Sequence, residues 1–325
     1  LPSNQSPLGA LPARFRRPRL LIAGCGDVGV RVLRHLPAGH APAAALQTTT
    51  APRLQVLALT SSPQRCAALR AAGATPLLGN LDDARSLRRL AGLAQRVLHL
   101  APPPGQGEGD PRSLNLLRAL RLRSAPHALV YGSTSGVYGN HQGALVSETS
   151  ALRSASARAL RRRHAEGSLR WWGCSSMGSA QPVRVSILRI PGIYANDRAD
   201  GTPKGRLLKA TPVLQAADDV FTNHIHADDL ARACIAALWR GKAQRTVNVN
   251  DDTRLKMGDY FDLAAHLYGL PKPPRLSRAE AQAQLPPMQL SFMAESRQMD
   301  NTRLKRELRL VLRYPTVAQG LAAGA

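Results

Sequence analysis

The chain has 325 residues and a formal net charge of +23; its length points to about two domains, and with 44% hydrophobic but only 4% aromatic residues its core must be filled by Leu, Ala and Val. No run approaches the ~18 unbroken apolar residues of a membrane span, and the scattered Cys25, Cys66, Cys174 and Cys234 form no C-x-x-C pair, which argues against a zinc site or a disulfide framework and fits a reducing cytoplasm. Nearly all the positive charge is Arg, Lys being confined to Lys204, Lys209, Lys242, Lys256, Lys272 and Lys305; without basic runs interleaved with stacking aromatics, no specific nucleic-acid partner is expected.

Residues 1–18 are rich in Pro and Arg, lack periodicity and read as a disordered tail without the apolar core of a signal peptide. The apolar run Leu20–Ala23 reads as a buried parallel strand, followed by Gly24-Cys-Gly26-Asp27-Val28-Gly29 and then by Val32, Leu33 and Leu36 at helical spacing. A G-x-G-x-x-G between strand and helix is the context in which the motif means dinucleotide binding. Gly24 allows the tight turn, Gly26 admits a pyrophosphate to the backbone, Gly29 lets helix and strand pack, and the helix N-terminus offers free N–H groups to the phosphates. Pro37 to Arg53 is long for a connection in a compact domain and reads as a surface insertion. The second strand, Leu54–Leu59, ends in Thr60-Ser61-Ser62-Pro-Gln-Arg65 without the carboxylate that would hold a ribose 2′-hydroxyl. Hydroxyls with Arg65 suit a 2′-phosphate, so NADP(H) is favoured over NAD(H); Ser62-Pro63 also reads as a helix start.

Thr75–Leu78 is the third strand, with Asn80 and Leu81 placed to flank an adenine and Asp82 or Asp83 capping a helix that carries Leu87, Leu90 and Leu93. Strand four, Arg96–Leu100, runs into the rigid Ala101-Pro102-Pro-Pro-Gly105 beside the expected cofactor. A helix opens at Pro111, and strand five, Ala128–Tyr131, leads to Ser133-Thr134-Ser135-Gly-Val-Tyr138-Gly139. Arg161 to Arg163 are candidates for binding an anion, with at least two of the three read as a solvated helix face; Trp171 to Gln181 reads as a polar insertion before strand six, Val183–Ile190. Tyr194 to Val220 has little period and reads as a loop-rich lobe closing on substrate. His224 and His226 flank Ile225 and read mainly as structural, with one a candidate for the cleft. Helices are expected from Asp228 to Trp239, Met257 to Leu270 and Ser277 to Leu285, with a late strand at Thr246–Val249 and a last helix capped by Asp300 or Asn301 and ending before Pro315.

This alternation specifies an α/β fold, a doubly wound parallel sheet of the Rossmann type with a smaller C-terminal substrate lobe. Residues 19–190, completed by about 221–250, are expected to form the nucleotide-binding domain, and 191–220 with 251–325 the substrate-side lobe. The glycine loop, Thr60–Arg65, Asn80, Ala101–Pro103 and Thr134 all fall at strand carboxyl ends, where such sheets bind ligands.

The glycine loop, Ser133–Gly139, Leu188-Arg-Ile-Pro191-Gly-Ile-Tyr194, Asn223-His-Ile-His-Ala-Asp228-Asp229-Leu-Ala231 and Asn301–Leu308, in that order, resemble the extended short-chain dehydrogenase/reductase superfamily, and within it the NAD-dependent epimerase/dehydratase branch. The resemblance implies that Thr134 orients a substrate oxygen and that Pro191 and residue 162 contact the cofactor. Two departures stand out. The branch usually spaces its glycines G-x-x-G-x-x-G, and its catalytic Y-x-x-x-K pair falls here on Arg158 and Arg162, as in the atypical subgroups that have lost the pair. Guanidinium does not lose its proton near neutral pH, so Arg158 cannot relay one; Arg162 can still donate to a ribose, and Tyr194, Tyr138 or His226 would have to exchange the proton. The expectation is an NADP(H)-dependent oxidoreductase or epimerase/dehydratase-like enzyme with an altered active site, acting on a small molecule as a monomer or homodimer, without a metal; the alternative is a non-catalytic NADP(H)-binding redox sensor.

Overall fold

Residues 17–36, 54–176, 182–198 and 202–323 are described by the computed structural model; the surface insertion expected at 37–53 and most of the tail expected at 1–18 lie outside them. The elements run β1 (Arg19–Ala23), α1 (Asp27–His35), β2 (Gln55–Thr60), α2 (Cys66–Ala71), β3 (Thr75–Leu78), β4 (Arg96–His99), α3 (Pro111–Arg121), β5 (Ala128–Thr134), β6 (Leu145–Val146), α4 (Ala157–Ser175), β7 (Arg184–Ile190) and β8 (Gly192–Tyr194). They continue as α5 (Lys204–Leu208), β9 (Val213–Leu214), β10 (Phe221–Thr222), β11 (His224–His226), α6 (Ala227–Arg240), β12 (Arg245–Asn248), β13 (Leu255–Lys256) and α7 (Met257–Tyr268). β14 (Arg275–Leu276), α8 (Arg278–Gln284), α9 (Pro287–Met293), β15 (Gln298–Met299), α10 (Thr302–Arg306) and α11 (Val317–Ala322) complete the chain.

Strand alternation builds two core layers from one sequence. Along β1 and β2, Leu20, Ile22, Val56 and Ala58 join one layer, while Leu21, Ala23, Leu57 and Leu59 join the other, because successive side chains point to opposite faces. Parallel sheets are covered on both faces, and this one is parallel: seven strands in the order β12-β7-β5-β4-β1-β2-β3, every pairing parallel. Helices α1 and α6 cover the first face, α3 and α4 the second. The winding reverses between β1 and β4, which opens a crevice at their carboxyl ends.

A third cluster lies outside the sheet. Leu207, Val213, Leu214, Val220, Met257, Phe261 and Met293 gather with Tyr194, Val317 and Leu321 into the core of the smaller lobe. Its span differs from the boundary read off the sequence: Leu304, Leu308, Leu310 and Leu312 pack into the α1/α6 layer of the sheet, so the chain returns to the Rossmann core before α11 rejoins the lobe.

Three local expectations are corrected. The segment carrying Leu87 and Leu90 is a 3-10 helix, Ala84–Leu90, capped by Asp83 through the Arg85 N–H at 2.9 Å. Helix α4 continues through Trp171–Ser175 rather than breaking into an insertion, because Trp172 is buried in the sheet's second layer; residues 177–181 lie outside the described residues. The last helix is α11, after Pro315, and its Thr316–Gln319 capping box gives the start signal. Beneath β5, Glu166 of α4 and Arg189 of β7 form a two-pronged ion pair at 3.1 and 2.8 Å, each 2% exposed, and Ser133 donates to the same carboxylate at 2.6 Å.

Candidate active site

The glycine loop turns at the switch point, and each glycine meets a different constraint. Gly24 has φ +84°, and a Cβ there would stand 2.3 Å from the Ala101 backbone nitrogen, so only glycine lets the loop pass the end of β4. A Cβ on Gly29 would come within 2.9 Å of Cys25 Sγ in the glycine loop and 3.5 Å of Ile22 of β1, where α1 packs closely against both. A Cβ on Gly26 would meet nothing within 4 Å, because that side of the residue opens into a cleft of about 1180 Å³.

Asp27, Val28 and Gly29 line the same cleft at the start of α1. The Asp27 carboxylate is neutralised by Arg31 Nε at 3.1 Å and Arg198 Nε at 2.9 Å. Buried Arg31 also pairs with Asp228 at 2.7 Å and with Asp197. A helix N-terminus carrying a bare carboxylate would repel phosphate; here that charge is cancelled.

At the adenosine end, no carboxylate follows β2. Thr60 Oγ1 accepts the Ser62 N–H at 3.2 Å, and Ser61 is exposed. Exposed Arg65 reaches back over the glycine loop, its Nη2 donating to the Cys25 carbonyl at 2.7 Å. Asn80 Oδ1 accepts the Asp82 N–H at 3.0 Å, and Leu81 turns its side chain into the core beside α3. Arg112 forks onto Asp82 at 2.7 and 2.8 Å and donates to the Pro102 carbonyl at 3.2 Å, joining the β3 and β4 loops. Ala101 is buried at the end of β4, its N–H on the Ala23 carbonyl.

Thr134 ends β5 on the cleft, and its Oγ1 accepts the Gly136 N–H at 3.2 Å, which leaves its proton free to donate. Pro191, Arg158 and Arg162 line the same cleft. Arg162 Nη1 donates to the Gly132 carbonyl at 2.7 Å and to Tyr131 Oη at 3.0 Å, while exposed Arg158 lies 4.7 Å over the ring of Phe292. Of Arg161 to Arg163, at least two of them expected on a solvated face, only Arg163 is exposed: Arg161 is buried on the Gly107 carbonyl at 3.0 Å.

The three groups expected to replace the missing tyrosine point elsewhere. Tyr138 is fully buried, its hydroxyl donating to Asn248 at 2.7 Å under the Arg189 guanidinium. Tyr194 lies beneath α11, with its hydroxyl 3.3 Å from the Thr316 carbonyl and 3.5 Å from Asp251; burial and then the Asp251 charge push the phenol far above its usual range. His226 caps α6, its Nδ1 accepting the Asp228 N–H at 3.2 Å between the rings of Tyr194 and Tyr314. The histidine on the cleft is His224, stacked on Tyr260 at 4.1 Å. Burial pushes its imidazole down to about 4 and pushes the Tyr260 phenol up, so both are neutral near pH 7.

Sequence reasoning missed Arg206, Tyr260, Ser135 and Arg297, which also line the cleft. Arg297 Nη1 donates to Glu295 at 2.8 Å and to the Gly139 carbonyl at 2.9 Å, and its Nη2 lies 3.4 Å from Ser135 Oγ. Ser135 lies beside Thr134 in the motif after β5 and Tyr260 on the expected helix α7, but residue type and spacing alone do not say that they face the cleft; Arg206 and Arg297 come from short elements of the lobe with no local pattern.

A glycine loop at the switch point of a seven-stranded parallel sheet, with Thr134 at the end of β5 and a lobe facing it, defines an extended short-chain dehydrogenase/reductase. The model of the NAD dependent epimerase/dehydratase family matches residues 39–250, and the chain belongs to that family. No curated protein matches it by sequence. A conserved protein of unknown function from Silicibacter pomeroyi DSS has a similar structure, with a TM-score of 0.71 at 27% identity over 94% of this chain and 97% of that one. The UDP-glucose 4-epimerase of Thermotoga maritima, solved with UDP-glucose, gives 0.71 at 16% identity over 94% and 96%. MoeE5, solved with UDP-glucose and NAD, gives 0.69 at 19% identity over 94% and 96%. The last two likenesses speak to the fold. Among the described residues no helix is long and apolar enough to cross a membrane.

Proposed function

We propose that the chain is an NADP(H)-dependent enzyme of the oxidoreductase or epimerase/dehydratase kind whose altered active site binds an anionic or carbonyl-bearing small molecule. The observation that carries this reading is the cleft itself: Gly26, Thr134, Arg158 and Arg162 line one cavity. The donors fit a dinucleotide: Gly26 and the α1 N-terminus for the pyrophosphate, Arg65 for a 2′-phosphate, Arg162 and Pro191 for the nicotinamide end. A bound nicotinamide would supply hydride chemistry, as the NAD held by MoeE5 suggests by analogy.

The chain's own groups determine what accompanies that chemistry. Thr134 donates to a substrate oxygen, and Arg158 and Arg162 supply fixed positive charge that stabilises an anion. Proton exchange is weakly served. Apart from Asp27 and Glu295, both paired to arginine, the acids and bases lining the described cleft are His224 and Tyr260, and neither titrates near neutrality. The test is calorimetric titration with NADP⁺ and NADPH alongside turnover assays with simple alcohols and common nucleotide sugars. Expected are measurable cofactor binding, weak or no turnover, and a larger effect of Thr134→Ala and Arg158→Ala on ligand binding than on cofactor binding. Brisk reduction of NADP⁺ by an alcohol would refute the altered-site reading. The burial of Tyr138, Tyr194 and His226 also favours a second reading, a non-catalytic redox sensor, for which the reduced and oxidised cofactors would stabilise the protein to different extents with every substrate silent.

A further inference from the structure

On the alignment that puts Arg162 at the lysine of the Y-x-x-x-K pair, a planar guanidinium with donors in fixed directions replaces a compact ammonium. Such a group has to be oriented as well as placed. Arg162 Nη1 donates to the Gly132 carbonyl at 2.7 Å and to Tyr131 Oη at 3.0 Å, and its guanidinium carbon lies 5.5 Å from the centre of the Tyr131 ring. Two bonds from one nitrogen fix the plane of the guanidinium, and they leave Nε and Nη2 without a partner among the described residues. Tyr131 and Gly132 lie three and two residues before Thr134 on β5, so one strand sets the positions of both Arg162 and Thr134 on the cleft.

Tyr131 is held in its turn. It is fully buried and is not among the residues that line the cleft. His99 of β4 stands opposite it in the parallel register, and the two rings pack with centroids 5.2 Å apart. His99 Nε2 lies 2.9 Å from Ser113 Oγ, whose own proton goes to Asp110 Oδ2 at 2.5 Å, so the hydroxyl accepts from the imidazole. The Asp110 carboxylate also caps α3 through the Ser113 N–H at 3.2 Å. His99, Ser113 and Asp110 are all buried. Burial pushes the imidazole down to about 4 and the Tyr131 phenol up to about 12, so neither ring changes charge near pH 7. A continuous line of contacts therefore runs from the N-cap of α3 through β4 and β5 to Arg162 on α4.

We propose that Tyr131 is a positioning residue for the cofactor: its hydroxyl, steadied by the His99–Ser113–Asp110 chain, orients Arg162 so that the free donors of the guanidinium meet the nicotinamide half of the dinucleotide. This rests on the reading of Arg162 as a donor to that half. Phenylalanine at 131 keeps the ring and its packing on His99 but removes one of the two anchors on Nη1. The guanidinium can then turn about its remaining bond to Gly132, and binding has to order it again at an entropic cost. The adenosine half, assigned to the glycine loop and the loop after β2, does not depend on Arg162 and should not sense the change.

The test titrates NADP⁺ and adenosine 2′,5′-bisphosphate, which lacks the nicotinamide half, into the full chain by calorimetry. The proteins are the wild type, Tyr131→Phe, Arg162→Ala and the double variant, with thermal melts as the folding control. Arg162→Ala should weaken NADP⁺ about tenfold and Tyr131→Phe about three- to tenfold. The bisphosphate should stay within about twofold of wild type in both, and Tyr131→Phe should add nothing once Arg162 is gone. A folded Tyr131→Phe protein that binds NADP⁺ as the wild type does, or that loses affinity for both ligands alike, overturns the positioning role, as does a Tyr131→Phe effect that persists without Arg162. If Arg162→Ala leaves NADP⁺ binding unchanged, the reading of Arg162 fails and takes the positioning role with it. If the wild type does not bind NADP⁺, the cofactor reading fails instead, and urea unfolding of the same four proteins decides whether Tyr131 holds Arg162: effects that fall short of additive show that it does, and strictly additive effects show that it does not.

Discussion

Replacing Gly26 with Val separates folding from binding. Gly26 occupies the N-cap of α1 with φ −80°, which an L-residue adopts, and a Cβ there meets nothing within 4 Å. The fold should lose only the glycine's N-cap preference, up to ~1 kcal/mol, or a few degrees of melting temperature. The valine methyls, however, project into the cleft where a pyrophosphate would approach the backbone. Dinucleotide affinity should fall at least tenfold, about 1.4 kcal/mol. Gly24→Val is the control with the opposite profile. Its backbone is left-handed at φ +84°, costing roughly 1–2 kcal/mol for an L-residue, and its Cβ would lie 2.3 Å from the Ala101 nitrogen, so stability should suffer first. Calorimetric titration of NADP⁺ and circular-dichroism melts on both variants give the two readouts. A folded Gly26→Val protein with undiminished affinity would refute the assignment of the cofactor to this cleft.

NADPH should bind better than NADH, and Arg65→Ala should erode the difference by ~1.5–3 kcal/mol, the worth of a charge-assisted hydrogen bond; a wild type that prefers NADH contradicts the reading of the loop after β2. Glu166→Ala strips the buried Arg189 guanidinium of its carboxylate and Ser133 of its acceptor, so urea unfolding should show a loss of ~3–5 kcal/mol, and a loss under about 1 kcal/mol would mean that water compensates the site. Burial raises the Asp251 carboxyl to about 8, against the hydrogen bonds of Thr253, so the folded state holds a proton that the unfolded state has released. A folded pKa above the unfolded one gives stability that is complete at low pH and lost as pH rises through the folded value. Buried His99 and His224, both pushed down to about 4 chiefly by burial, oppose this below pH ~6.5. Above it Asp251 acts without them: the wild type should lose ~2 kcal/mol between pH 6.5 and 8 while Asp251→Asn stays level, and parallel curves for the two proteins would show that the carboxyl is ionised throughout.

Much of the Rossmann half is legible because its signals are local. Leu20–Ala23, the glycines and the α1 periodicity lie within twenty residues of one another, and each strand announces its burial by an apolar run. The conformation of the glycine loop follows, since a turn that admits only Gly24 and a helix that needs Gly29 are consequences of short-range geometry. The same reasoning misplaced the 3-10 segment Ala84–Leu90 and the end of α4. Leucine spacing does not distinguish a 3-10 helix from an α-helix over two turns, and the glycine and serine that suggested a break after Trp171 are outweighed by the burial of Trp172.

The amino-acid sequence by itself determined that the sheet is parallel and doubly wound, the position of the glycine loop, the absence of a carboxylate after β2, and the arginines at 158 and 162. These are properties of residue type and spacing along a chain whose neighbours in sequence are neighbours in space. The tertiary structure alone decided which polar groups face the cleft. Tyr138 follows β5 on a 3-10 turn and Tyr194 ends β8, both near the ends of strands that bear the cleft, but packing turned one hydroxyl to Asn248 and the other beneath α11. Between two histidines with one residue between them, it put His224 on the cleft and made His226 a helix cap. It also brought Arg206 and Arg297, far apart in the chain, to one cleft. The physical reason is that a side chain's direction at the end of a strand, or on a short helix of an irregular lobe, is set by what the rest of the chain packs against it, and that information is carried by contacts distant in sequence.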